Sequence, residues 1–157
     1  MALMTRSGKP DFGILLLLAD QEFVRALRAA TAGQGFDDQG RSDGFVLRTL
    51  GAGPTSVTGL AERLEITKQG ASQIVDDMER RGYVERRPDP TDARARLLHL
   101  TDHGRATLAA ARRFHQLYER RLRNRLGDEA VDTLREVLTE IAGEAKISPP
   151  HFRAAMF

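Results

Sequence analysis

Between Ser56 and Thr101 the chain passes through two short helical patterns and then two strand patterns, with little chain left for connections. That order admits few packings. Ser56 is placed to cap a helix beginning near Val57, because its hydroxyl can accept a free first-turn amide. Leu60, Ala61 and Leu64 then share one face. Glu65 and Ile66 leave room only for a sharp turn before Thr67, the next candidate cap. Ala71, Ile74, Val75 and Met78 follow at helical spacing and define a buried stripe. Gly82 ends this second helix as a C′ residue, with Arg80 and Arg81 favourably placed in its last turn. Two helices joined by a tight turn make a helix-turn-helix.

The face opposite the stripe carries Lys68, Gln69, Ser72, Gln73, Asp76 and Arg80. In a helix-turn-helix the N-terminal part of the second helix enters the major groove. Gln pairs with adenine, Lys donates to guanine, and Ser contacts base or phosphate. Asp76 argues against phosphate proximity, unless it pairs with Arg80 one turn on or accepts from a cytosine amino group. An ordinary surface helix with its polar residues outward also fits this pattern.

After Gly82 the pattern changes to strands. Tyr83, Val84 and Glu85 start one, continued by Arg86 and Arg87. Pro88 and Pro90 oppose regular pairing, so Pro88 to Ala93 reads as a loop. Arg94 to Thr101 returns as the second strand. Arg86, Arg87, Arg94 and Arg96 gather on the loop and its shoulders, and an arginine at a loop tip suits a narrow, negative minor groove. Asp92 is expected to hold the Arg94 guanidinium. A solvated hairpin with a weak surface ion pair is the alternative.

The segment GYVERRPDPTDARARLLHLT closely resembles the wing of the MarR family of bacterial transcription regulators, in which a DP-x-D-x-R element leads into a strand ending in Leu-Thr. Here that element is Asp89-Pro90-Thr91-Asp92-Ala93-Arg94, ending in Leu100-Thr101. LAERLEITKQGASQIVDDMERRG resembles the family's helix pair. The resemblance implies a wing arginine for the minor groove at Arg94, its supporting acid at Asp92, and recognition-helix contacts at Thr67, Lys68, Gln69, Ser72 and Gln73. Gly70 departs from the small or hydroxyl residue more usual there. The family usually represses, and many members release DNA when a small, often aromatic or phenolic, acid binds between dimer arm and winged domain.

The remainder suits such an arrangement. Residues 1–10 are expected to be disordered. Residues 11–40 are expected to form an N-terminal dimerisation helix, capped by Asp11 and running to about Ala32, and a loop. Phe12, Leu15, Leu16, Ala19, Phe23, Leu27 and Ala30 cover too wide an arc for one partner. Residues 41–101 form the winged helix-turn-helix, with a short helix from Ser42 or Asp43 broken by Gly51 to Pro54. Residues 102–147 hold two long helices. The first is capped by Asp102 and packs through Leu108, Ala111, His115, Tyr118, Leu122 and Leu126. It carries many arginines. The second, capped by Asp128, has Val131, Leu134, Leu138, Ile141 and Ala145 in a three-four repeat beside an acidic stripe. Pairing between the basic and acidic helices is expected. Pro149-Pro150 stops the last helix, and residues 148–157 form a tail.

The expected fold is therefore mainly α (α+β), a winged helix-turn-helix with N- and C-terminal dimerisation helices. The expected partners are a second copy and double-stranded DNA at a near-palindromic site, with a small aromatic or phenolic ligand as effector. The competing function is a winged module for protein–protein contact. An enzyme is not expected: the 157 residues include no cysteine, and no Gly-rich phosphate loop or triad is visible. Net charge is only +2, so charge distribution matters more than its sum. No cofactor or metal site is expected. The four histidines are scattered, although His99, Asp102, His103 and His115 make a metal-sensing site conceivable. The apolar run Ile14 to Leu18 is too short to span a membrane, and with no signal-peptide pattern before it a cytoplasmic location is expected.

Overall fold

The structure, a computed structural model, describes residues 9–40 and 42–143. It divides into two units, Met1–Asp37 and Asp38–Phe157.

The first unit contains α1 (Phe12–Ala32). Asp11 stands at its N-cap but makes no side-chain cap bond. Near the C-terminus the Thr31 hydroxyl donates to the carbonyls of Leu27 and Arg28. Gly35 then turns the chain at φ +87°. Phe12, Leu15, Leu17 and Leu18 are exposed. Leu16, Phe23 and Leu27 are half-buried.

The second unit contains α2 (Asp43–Ala52), α3 (Val57–Leu64), α4 (Lys68–Arg80), β1 (Val84–Pro88), β2 (Arg96–Leu100), α5 (Asp102–Leu126) and α6 (Asp128–Ala142). Its core draws Val46, Leu47 and Leu50 from α2, Leu60 and Leu64 from α3, and Val75 and Met78 from α4. Tyr83, Val84, Leu98, Leu100 and Leu108 complete it. The α3 pattern is realised as read: Ser56 accepts from the Gly59 amide, and Leu60, Ala61 and Leu64 are buried. The sharp turn is completed by Glu65 in the left-handed region (φ +53°), which lets the Ile66 amide reach the Ala61 carbonyl. Thr67 caps α4 by accepting from the Gly70 amide.

The antiparallel ribbon pairs Val84 with Leu100 and Pro88 with Arg96. Facing Arg86 and Leu98 direct their amides to opposite outer edges. The Leu98 amide donates to the Thr55 carbonyl (2.8 Å) and the Arg86 amide to a Glu79 carboxylate oxygen (3.2 Å). Both edges of a ribbon that would be marginal alone are thus occupied.

Several boundaries differ from expectation. The chain does not break at Gly51. There α2 continues to Ala52, because the missing side chain at Gly51 lets Leu108 of α5 approach. A β-carbon there would lie 2.4 Å from a Leu108 methyl. The break comes at Gly53, at φ +156°. Ser42 makes no side-chain cap bond, while buried Asp43 accepts from the Gly40 amide. Pro88 belongs to β1 rather than the loop, at the strand's last position, where a missing amide is tolerated. Tyr83 precedes that strand, and β2 starts at Arg96, two residues later than Arg94. Thr101, not Asp102, caps α5, its hydroxyl accepting from the Gly104 amide. Gly127 occupies the N-cap of α6, and Asp128 lies in the first turn.

The expected pairing of basic and acidic helices is realised within the chain. Arg123 of α5 meets Glu119 (2.9 Å), Asp128 (3.2 Å) and Asp132 (2.7 Å), and Arg135 of α6 meets Glu119 (2.5 Å). On α6 Val131 is buried, whereas Leu134, Val137, Leu138 and Ile141 are exposed. On α5 the buried side chains are Thr107, Leu108, Ala110 and Phe114, so the packing face sits slightly away from the one expected. The expected disorder at 1–10 lies, apart from Lys9 and Pro10, outside the described residues, as do Ala145, the Pro149-Pro150 stop and the 148–157 tail. Among the described residues no helix is long and apolar enough to cross a membrane.

Candidate nucleic-acid interface

Burial of Ala71, Val75 and Met78 fixes the rotation of α4 about its own axis. Thr67, Lys68, Gln69, Gln73 and Asp76 are consequently exposed, with Ser72 half-buried beside them. The row begins at a capped N-terminus, where the helix dipole favours an anion. A β-carbon on Gly70 would lie 3.1 Å from the Thr67 hydroxyl, so glycine leaves space around the cap.

The other end of α4 is closed by Gly82 at φ +79°. The Tyr83 amide reaches the Met78 carbonyl and the Gly82 amide reaches that of Glu79, which satisfies the last carbonyls as a Schellman turn does. Arg81 then ties this end to the rest of the domain. It donates to Asp43, which is only 2% exposed, at 2.7 and 3.1 Å, to Asp77 at 2.8 Å, and to the Asp38 carbonyl at 2.8 Å. The bond to Asp43 above all raises the Arg81 pKa further above its ordinary value. Arg81 also lies over the ring of Tyr83, 5.2 Å from its centroid. Tyr83 is fully buried and its hydroxyl donates to Asp38. Burial, reinforced by that carboxylate, raises the phenol's pKa. His103 stacks on the same ring at 4.6 Å. Asp38, Asp43, Arg81 and Tyr83 were not among the residues expected from the sequence to matter here. The bonds that Arg81 and Tyr83 make to Asp38 and Asp43 join residues 38 to 45 positions apart, too far for any local pattern to reveal.

The wing places its arginines in two different situations. Arg86 is half-buried and bound by Glu79 and Asp76, the latter at 2.5 Å. Asp76 therefore pairs with Arg86 and not with Arg80, which meets Asp77 at 2.7 Å. Arg87 pairs with Glu85 at 2.5 Å. Arg94 and Arg96 are exposed and, like Lys68, form no ion pair with a described residue. Asp92 does not hold the Arg94 guanidinium. It accepts from the Arg94 backbone amide at 2.9 Å, because a two-residue separation closes an Asx turn more readily than it reaches along an arginine. Asp89 makes a second such turn with the Thr91 amide (2.8 Å) and hydroxyl (2.7 Å), and the hydroxyl bond chiefly lowers its carboxyl pKa. The Ala95 amide closes on the Asp92 carbonyl (2.9 Å) and the Asp89 amide on the Ala95 carbonyl (3.1 Å). These bonds brace the loop backbone, and Arg94 is exposed on it.

The histidines considered for a metal are dispersed. His103 stacks on Tyr83, while His115 contacts Arg48 at 2.9 Å. No cluster of His, Asp and Glu able to hold a metal occurs among the described residues.

A family model described as MarR family matches residues 40–95, from the start of the second unit into the wing loop. The structure resembles that of CouR, a transcriptional repressor bound to a 23-mer DNA duplex. Identity is 31% over 85% of this chain and 93% of that one, with a TM-score of 0.65. The chain belongs to the MarR family. This is a family of transcription regulators, built on the winged helix seen here. Two more distant MarR-type folds agree. They are YusO from Bacillus subtilis (22% identity, 84% of this chain and 92% of that one, TM-score 0.64) and a mutant MarR from E. coli complexed with operator DNA (24%, 83% and 93%, TM-score 0.63). No curated protein matches the chain in sequence.

Proposed function

We propose that this MarR-family regulator is a dimeric, sequence-specific DNA-binding repressor. Two half-sites of a near-palindromic operator would each receive one α4 in the major groove and one wing in the minor groove. The observation that carries the reading is the pairing of two features on one domain. One is the outward polar row Thr67, Lys68, Gln69, Ser72 and Gln73 at a capped helix start. The other is Arg94, which forms no ion pair with a described residue, on a loop braced by backbone hydrogen bonds. A fixed loop reduces the ordering entropy lost when Arg94 enters a narrow groove. Arg96 and Arg87 flank it and supply phosphate contacts. Asp92 serves by shaping the loop. CouR, the relative at 31% identity, is a repressor bound to DNA. Dimerisation is supported by the exposed apolar residues of α1 and, separately, of α6.

Release by a small acidic ligand is supported by a groove of about 690 Å³ between α2, β2 and α5, a size suited to small ligands. Leu50, Leu100 and Leu108 line it together with Arg105, Arg112 and Arg113. Such a ligand would act by favouring a dimer shape with the wrong half-site spacing.

The test is selection of genomic fragments by the purified protein, repeated with Arg94→Ala. The expected result is one near-palindromic site, bound at least about tenfold more weakly by the variant, in line with loss of a specific contact. Wild-type affinity should fall steeply with salt, as counterion release requires. Failure to enrich any fragment at physiological salt would overturn the DNA reading and favour a protein partner for the winged domain.

A further inference from the structure

The wing arginine nearest the recognition helix does not face DNA as a free cation. Arg86 stands in a triad with Asp76 and Glu79, both on α4. One positive charge is shared by two carboxylates, so the cluster carries a net negative charge and would repel a phosphate. Its geometry is that of a tie. Glu79 grips β1 twice, through the Arg86 backbone amide at 3.2 Å and through the guanidinium. The second arm of the guanidinium reaches Asp76 at 2.5 Å, one turn closer to the N-terminal end of α4. The planar fork of arginine spans both acids, which a point-charge ammonium cannot do with the same geometry. On the other edge of the ribbon, Leu98 is held by Thr55.

We propose that Arg86 is a positioning residue for DNA recognition. Bound by Asp76 and Glu79, it fixes the offset between recognition helix and wing, so that Arg94 meets the minor groove when α4 is seated in the major groove. The Gly82-Tyr83 turn and the shared core, with Met78 of α4 beside Val84 and Leu98 of the ribbon, join the bases of the two reading elements, and this tie adds ion pairs between them farther out. A wing free to tilt would still find phosphates but would lose register with the bases. Arg86 therefore contributes to the preference for one sequence over others and not to bulk attraction. Asp76, which is otherwise unfavourable on a DNA-facing surface, has its place as the outer anchor of the tie.

This inference rests on the DNA reading above, and its test separates the two. Wild type, Arg86→Gln and Glu79→Gln are titrated against the duplex enriched by the wild type and against a scrambled duplex of equal length, over a range of salt. The proposal expects both variants to lower the specific-to-non-specific affinity ratio by about tenfold, the scale of a lost charge-assisted bond. Glu79→Gln is the decisive variant: it removes a negative charge, so scrambled-duplex affinity rises while affinity for the enriched duplex falls. Neither unfolding nor loss of a phosphate contact produces that crossing. The salt slope of Arg86→Gln stays at the wild-type value, whereas losing a phosphate contact would lower it by about 0.9. A slope reduced by that amount, or Glu79→Gln strengthening both duplexes alike, overturns the proposal. Amide hydrogen exchange without DNA supplies the independent arm. Arg86→Gln should raise exchange across Val84–Leu100 relative to α4. Unchanged wing exchange would overturn the tie even if the wild type selected no DNA site.

Discussion

A β-carbon on Gly104 would lie 2.1 Å from the carbonyl oxygen of Tyr83. That oxygen is not free to move, because it accepts the Thr101 amide at the start of α5. The obstacle is backbone, so no side chain can turn aside. Gly104→Ala is expected to destabilise the protein by about 3 kcal/mol, the upper part of the usual range for overpacking. Urea unfolding monitored by circular dichroism checks this, and a change near zero would mean that α5 can slide away from the Tyr83 turn. At this scale the sequence was legible where cause and effect lie within one helical turn. Ser56 and Thr67 cap as read, and Gly82 takes the positive φ its place after α4 required. It was not legible where the partner is distant in the chain. Nothing local to Asp43 announces Arg81, and nothing around Gly104 announces the Tyr83 carbonyl. The Asp92 reading failed on reach: the acid and the arginine were correctly neighbours, but the backbone amide was the nearer donor.

Between elements, α2 and α5 are joined by a contact that makes stability depend on pH. Arg48 of α2 donates to Nε2 of His115 on α5 at 2.9 Å, so the neutral ring must carry its proton on Nδ1. Partial burial, helped by the Arg48 charge, lowers the His115 pKa below its ordinary 6.5. In the unfolded chain His115 takes up a proton at higher pH than in the native state, so stability rises with pH across this window. The contribution is complete above about pH 6.5 and is lost as pH falls from there towards the depressed native value. Urea unfolding of wild type and His115→Gln, compared between about pH 7.5 and 5.5, should show the wild type losing more stability than the variant. Equal losses would mean that the ring is solvated enough to titrate normally. Elements as such were the most legible feature of the sequence, since hydrophobic spacing and glycine or proline punctuation act locally. The inward face of α5 differs from the expected one because two glycines set it: Gly51 makes room for Leu108, and Gly104 makes room for the Tyr83 carbonyl. The wing was anticipated as a ribbon, but its tie to α4 was not. Arg86 looks like any other arginine of a basic loop until Asp76 and Glu79 are placed beside it.

At the scale of the molecule, the apolar residues left uncovered are spaced for a helical partner. Leu134, Val137, Leu138 and Ile141 repeat at three and four along α6, and Ile141 is 49% exposed. The core of the winged unit is built from other residues, among them Val46, Leu60, Val75 and Leu98, and so does not depend on this stripe. A charge placed on the stripe should therefore separate association from folding. Leu138→Asp is expected to convert the protein to a monomer in sedimentation at micromolar concentration, with the helical circular dichroism of the winged unit retained. If the DNA reading holds, its affinity for a two-half-site duplex should fall by about 10²–10⁴-fold, the gain that linking two binding modules supplies. Affinity for a duplex with one half-site should change little. The comparison between the two duplexes carries the argument, because a folding defect would weaken both equally, whereas a lost dimer weakens only the one that needs two wings and two recognition helices held in register. A dimer that survives Leu138→Asp would mean that the α6 stripe is not the seam, and the exposed apolar residues of α1 would then have to hold the two copies together.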